Sequence, residues 1–124
     1  MTIQTQEINK PNNIHCLALN YPGVSEANIP EKPLYFVKNQ SSFFTGEKEI
    51  LMPDGPELFW TECELGIVIG KDKSNPIKGF VVCGDISCKN IHGRDHHLAY
   101  SKSRYRFCPT SSHIGTLNFD EKII

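Results

Sequence analysis

FWTECELGIVIG, residues 59–70, is the run on which the reading of this chain turns. Its aromatic and β-branched content is that of a strand, in which side chains alternate between two faces. Trp60, Glu62, Glu64, Gly66 and Val68 then share one face, and Phe59, Thr61, Cys63, Leu65, Ile67 and Ile69 the other. Two glutamates about 7 Å apart on one face repel each other and lose hydration if that face is covered. A bound cation would remove both costs. So would the solvated face of an antiparallel strand, where alternating Glu is ordinary, and the spacing alone does not separate the two. A second apolar run, FVVCGD at residues 80–85, favours the cation. It is expected to end as a strand at Asp85, just after Gly84, where a missing side chain lets something approach the backbone. Glu62, Glu64 and Asp85 make an oxygen-only ligand set that suits Mg²⁺ or Mn²⁺ and poorly suits zinc.

At 124 residues the chain is one domain at most, long enough to bury about two thirds of its unfolded surface. Its net charge is -1 and its basic residues are scattered, so no electrostatic footprint for nucleic acid is present in the sequence. The opening MTIQTQEINK has no apolar targeting core, and no later run approaches the roughly 20 apolar residues a membrane span needs. A cytoplasmic protein with no membrane partner is the expectation. Five cysteines, odd in number and without a C-x-x-C pair, argue for reduced core residues rather than a disulfide framework or zinc ribbon.

Residues 1–13 read as a flexible lead-in, polar and turn-rich. IHCLALN, residues 14–20, reads as a buried strand stopped by Asn20-Tyr21-Pro22-Gly23. LYFVK, 34–38, is a second strand; NQSSFFTGEKE then turns the chain, and EILMP, 49–53, is a brief strand closed by Asp54-Gly55-Pro56. No long amphipathic helix and no repeat is evident, so the fold class is mainly β. From Ile86 the pattern loosens into a His-rich and cationic stretch, read as a loop that could lie over the carboxylates. There His92 and His96 have helical metal-ligand spacing, but Gly93 interrupts them and no third soft ligand has a fixed spacing. Lys102 lies in this stretch; taken alone, a loop lysine is usually just solvated. Cys108 would need a base beside it to act as a nucleophile, and His15 reads as a core or face residue of its strand. No phosphate-binding glycine motif occurs.

The succession LALNY, PLYFVK, ILMP, the Glu-x-Glu strand ending GIVIG, GFVVCGDIS and SKSRYRFCP resembles the fumarylacetoacetate hydrolase family, from about Ile14 to about Pro109. The resemblance implies a mixed β-sandwich roll with few short helices, and makes residues 14–124 a partial catalytic domain, incomplete at its C-terminal side. It implies Mg²⁺ or Mn²⁺, with Ca²⁺ also possible, held by Glu62, Glu64 and Asp85, with Lys102 as the active-site lysine. It also implies a homodimer and a small keto acid substrate. The chemistry implied is hydrolysis, decarboxylation or isomerisation of 2-keto or β-diketo acids, through an enolate whose charge develops beside the ion.

The departures from the family pattern are specific. Where hydrolytic members carry a water-activating His, this sequence has Val24; Glu26 lies close to the position of the accompanying Glu and is the second catalytic candidate. Loss of that His weakens hydrolysis more than decarboxylation or isomerisation, which need no attacking water. The usual Arg-Asp pair after Asp85 reads Lys89-Asn90. The alternative expectation is a catalytically silent homologue that binds metal or pairs with a partner chain.

Overall fold

In a computed structural model the chain is described over residues 6–21, 31–46, 49–50, 52, 58–89 and 98–116. Its backbone is organised by two long antiparallel strands, here named with the rest in chain order. Short β1 (Gln6–Glu7) is followed by β2 (Ile14–Ala18), β3 (Leu34–Lys38) and β4 (Phe43–Thr45). The long pair is β5 (Phe59–Ile69) and β6 (Ile77–Cys88), and after it come α1 (Leu98–Lys102), β7 (Cys108–Thr110) and β8 (His113–Ile114). A four-stranded sheet runs in the order β4-β7-β6-β5, with β4 and β7 parallel and the other pairs antiparallel. Two antiparallel pairs, β2 with β3 and β1 with β8, complete the described strands. The expected mainly β architecture, mixed in strand direction, is what forms.

Several local expectations are corrected by pairing that lies far away in sequence. The second apolar strand does not stop at Asp85: β6 continues to Cys88, because Ile86, Ser87 and Cys88 find partners in Thr61, Trp60 and Phe59. The β2 strand is not buried. Its residues alternate between half-buried and exposed, since β3 is its only partner among the described residues. The stretch expected as a plain turn after Lys38 contains a 3-10 turn at Gln40–Ser42, capped by Asn39, and then β4. Within the supposed lead-in, Gln6–Glu7 form β1 against β8. Of the EILMP segment, Glu49, Ile50 and Met52 are described and are not in a strand. The helix α1 falls in the stretch expected as a loop and places Lys102 at the end of a helix, and the strand β7 follows just beyond that stretch.

Two glycines make the sheet possible. The register of β5 and β6 shifts by one residue between Val68 and Ile69, and Gly79 sits at this bulge with φ +149°. A Cβ there would fall 2.6 Å from the carbonyl oxygen of Gly115, whose backbone exchanges two 2.8 Å hydrogen bonds with Phe80. At Gly84 the close approach anticipated from the sequence is made by the ring of Pro109, whose Cγ would lie 2.7 Å from an added Cβ. Pro109 is tolerated inside an interior strand because the flanking bonds, Ile86 N–H to Phe107 O and Ser111 N–H to Val82 O, step over it.

The described core is small. Ile86, Cys88 and Phe107 are buried together, with Phe59, Ile50 and Tyr100 packed on them and the rings of Phe59 and Phe107 edge-to-face at 6.2 Å. Burying a side chain of this size stabilises by about 1.5–3 kcal/mol. This core fastens α1 and the chain before β7 to β6, and so fixes what projects over the adjoining carboxylates.

Candidate metal centre

Glu62 and Asp85 are direct cross-strand partners, and Glu64 follows two residues along β5 on the same face. Antiparallel pairing therefore brings together three acids separated by up to 23 positions. One oxygen from each lies within 4.8 Å of the others. Asp85 is buried, while Glu62 and Glu64 are half-buried. The face is thus covered at its aspartate and open at its glutamates, and the fully solvated reading of the strand does not hold.

Two lysines close the site. Lys102, at the C-terminal end of α1, donates to Oδ2 of Asp85 and lies 3.4 Å from Oε2 of Glu62, so its ammonium spans two of the three acids. Its Nζ also stands 5.4 Å from the centre of the Phe36 ring. Burial alone would lower the Lys102 pKa, but the hydrogen bond and charge of Asp85, and then Glu62, outweigh it, and the net shift is upward. Glu64 is also shifted upward, first by burial and then by the charge of Asp85, with Lys102 pulling the other way.

The second lysine, Lys38, was not singled out by the sequence. It ends β3, is 1% exposed, and places Nζ 2.5 Å from Oδ1 of Asp85. Its protons are directed at two backbone carbonyls, Phe107 O at 2.7 Å and Ile86 O at 3.3 Å. Oδ1 is thereby charge-balanced without receiving a directed hydrogen bond, and it is sealed from solvent. The available signal was parity: Leu34, Phe36 and Lys38 share one face of β3, so a lysine continues an apolar row inward. Asn39 N–H donates to Ser103 Oγ at 2.5 Å and ties the ends of β3 and α1 together beside both lysines.

Three carboxylates against two ammonium groups leave one net negative charge. Such an oxygen-only set fits a hard divalent cation. Glu26, Val24, His92 and His96 lie outside the described residues. His15 is exposed on β2, its ring 6.5 Å from Tyr35, and belongs to a sheet face. Cys108 is buried; a hydrogen bond from Cys83 draws its thiol down to about 7 against burial, and its sulfur lies 3.8 Å from Thr110 Oγ1. The described residues place no general base against it. An open depression of about 450 Å³ touches Glu62, Cys83 and Thr110 but not Glu64, Asp85 or Lys102, so it is not the chamber of this site.

Residues 12–120 match the family described as fumarylacetoacetate (FAA) hydrolase C-terminal. The chain is 34% identical over 116 residues to an uncharacterised protein of Methanocaldococcus jannaschii, covering 85% of this chain and 49% of that one. It is 32% identical over 94 residues to the mitochondrial oxaloacetate tautomerase fahd-1 of Caenorhabditis elegans, covering 67% and 44%. The chain thus spans about half the length of the curated relatives it matches. Among solved structures, that of Cg1458 superposes with a TM-score of 0.69 at 24% identity, covering 85% of this chain and 42% of that one, and shares its fold. With the Glu-x-Glu strand paired to its aspartate and the match running through nearly all of the described sheet, this chain belongs to the fumarylacetoacetate hydrolase family.

Proposed function

We propose that this chain is the metal-binding part of an enzyme acting on small 2-keto acids, with enol–keto isomerisation of a 2-keto diacid as its reaction. The observation that carries the proposal is the convergence of Glu62, Glu64 and Asp85 under the ammonium group of Lys102. Those three acids would hold Mg²⁺ or Mn²⁺. When bound, the ion would polarise the keto group and make the adjacent carbon acidic.

The residues of this chain do the rest. With its Nζ against Asp85 and Glu62, Lys102 is placed to set positive charge and a proton beside an enolate bound at the same acids. The Phe36 ring lies beside it and faces the ammonium. Glu26 is assigned the complementary proton-accepting role on the strength of the family resemblance. The absence of a water-activating His at position 24, together with a relative named as an oxaloacetate tautomerase, favours isomerisation over hydrolysis.

Five free cysteines fit a reducing cytoplasmic compartment, and none of the described helices is long and apolar enough to cross a membrane. A homodimer fits the apolar β5–β6 face left uncovered at Leu65, Ile67 and Val82.

The test is turnover of oxaloacetate enol and of acylpyruvates with Mn²⁺, comparing the natural chain with Glu62→Ala plus Glu64→Ala and with Lys102→Met. Loss of turnover in both variants is expected, by about 10²-fold or more for Lys102→Met, while that variant still binds Mn²⁺. Equal rates in all three proteins would end the proposal.

A further inference from the structure

Lys38 and Lys102 divide the two oxygens of Asp85 between them. Oδ2 points toward Glu62, where Lys102 bridges the two acids. Oδ1 points the other way, has no solvent-accessible surface and faces the ammonium of Lys38 at 2.5 Å. Lys38 cannot swing aside easily. Its side chain is fully buried, and it is pinned between the carbonyls of Phe107 and Ile86, on two segments that the core holds together. An ion held by Glu62 and Glu64 would therefore take Oδ2 in exchange for its contact with Lys102, while Oδ1 stays against Lys38.

We infer that Lys38 is a positioning residue that restricts Asp85 to single-oxygen ligation and thereby tunes the site toward Mg²⁺ and Mn²⁺ and away from Ca²⁺. The reason is coordination chemistry. Small octahedral ions take six ligands in near-ideal geometry, whereas Ca²⁺ takes six to eight and gains from carboxylates that bind through both oxygens. Glu62 and Glu64 are half-buried and able to adjust, but Asp85 is fixed from behind by an internal cation. The inference rests on the metal-centre reading above and deepens it: the family pattern leaves Ca²⁺ open, and Lys38 disfavours it.

The experiment is calorimetric titration of the full chain with Mn²⁺, Mg²⁺ and Ca²⁺, for the natural protein and for Lys38→Met, with circular dichroism of each. Removing the positive charge should strengthen binding of all three ions alike. The ratio of Ca²⁺ to Mn²⁺ dissociation constants isolates how many Asp85 oxygens are offered, and a purely structural role for Lys38 would not move it. That ratio is expected to fall by about tenfold in Lys38→Met, as the freed Oδ1 lets Ca²⁺ gain a ligand. An unchanged ratio in a folded variant overturns the inference while leaving the metal centre standing. No binding of any ion by the natural protein overturns both. Should Lys38→Met fail to fold, a crystal structure of the natural protein with Ca²⁺ decides: Asp85 bound through Oδ2 alone, with Oδ1 still on Lys38, supports the inference, and two-oxygen binding of Ca²⁺ by Asp85 refutes it.

Discussion

Glu64 is destabilised in the metal-free protein, first by burial and then by the charge of Asp85, so its carboxyl holds a proton above the usual 4.5. An acid whose folded pKa is raised contributes stability at low pH, and that contribution is lost as pH rises above 4.5 through the folded value. In EDTA at neutral pH, Glu64→Gln should therefore be more stable than the natural chain, by less than about 1 kcal/mol because the group is partly solvated. The advantage should fade in acid, and with Mn²⁺ present the order should reverse. Urea melts with and without Mn²⁺ measure this, and a metal-free variant less stable than the natural chain would contradict it. The same residue explains what the sequence could show. Alternation put Glu62 and Glu64 on one face, and Asp85 was visible as an acid closing an apolar run. Parity alone put Lys38 on the Leu34 and Phe36 face without making it internal, because a lysine at the end of a strand ordinarily reaches solvent, and only the packing of Phe107 and Ile86 around it buries it.

At the scale of elements, the Gly79 bulge sets the register that aligns the acids. Without the extra residue at Lys78, the β5–β6 pairing could not have both the Ile69–Ile77 contact and the Glu62–Asp85 contact. Gly79→Ala combines a backbone conformation that side chains rarely adopt with a clash against Gly115. It should cost about 1–3 kcal/mol in a denaturant melt; a cost below a few tenths would show that the bulge is not constrained. The strand cores themselves were legible from composition and period, as in β3, β5 and most of β6. The ends were not: β6 outruns Asp85 because β5 begins early enough to pair with Cys88, which is decided by the partner strand. Short β4, β7 and β8 exist through pairing with distant segments, and α1 has only five residues, too few for a periodic signal.

For the molecule as a whole, one sheet face divides into two halves. Near Phe59 it is covered by Phe107 and the small core, whereas Leu65, Ile67 and Val82 farther along are 63%, 54% and 57% exposed. Apolar surface of this kind is characteristic of contact surfaces, and the proposed homodimer would use it. Leu65→Lys combined with Ile67→Lys should shift the protein toward monomer in size-exclusion chromatography and lower its binding of a hydrophobic dye. An unchanged elution position and dye signal would mean that this face does not drive association. At the opposite face, everything proposed depends on an ion seated among three acids. Calorimetric titration of Mn²⁺ into the natural chain and into Glu62→Gln plus Glu64→Gln tests that most directly. One ion per chain is expected, with affinity reduced by about 100-fold or more in the variant. Binding of equal strength in the two proteins, or none in the natural chain, would contradict a metal centre at this position.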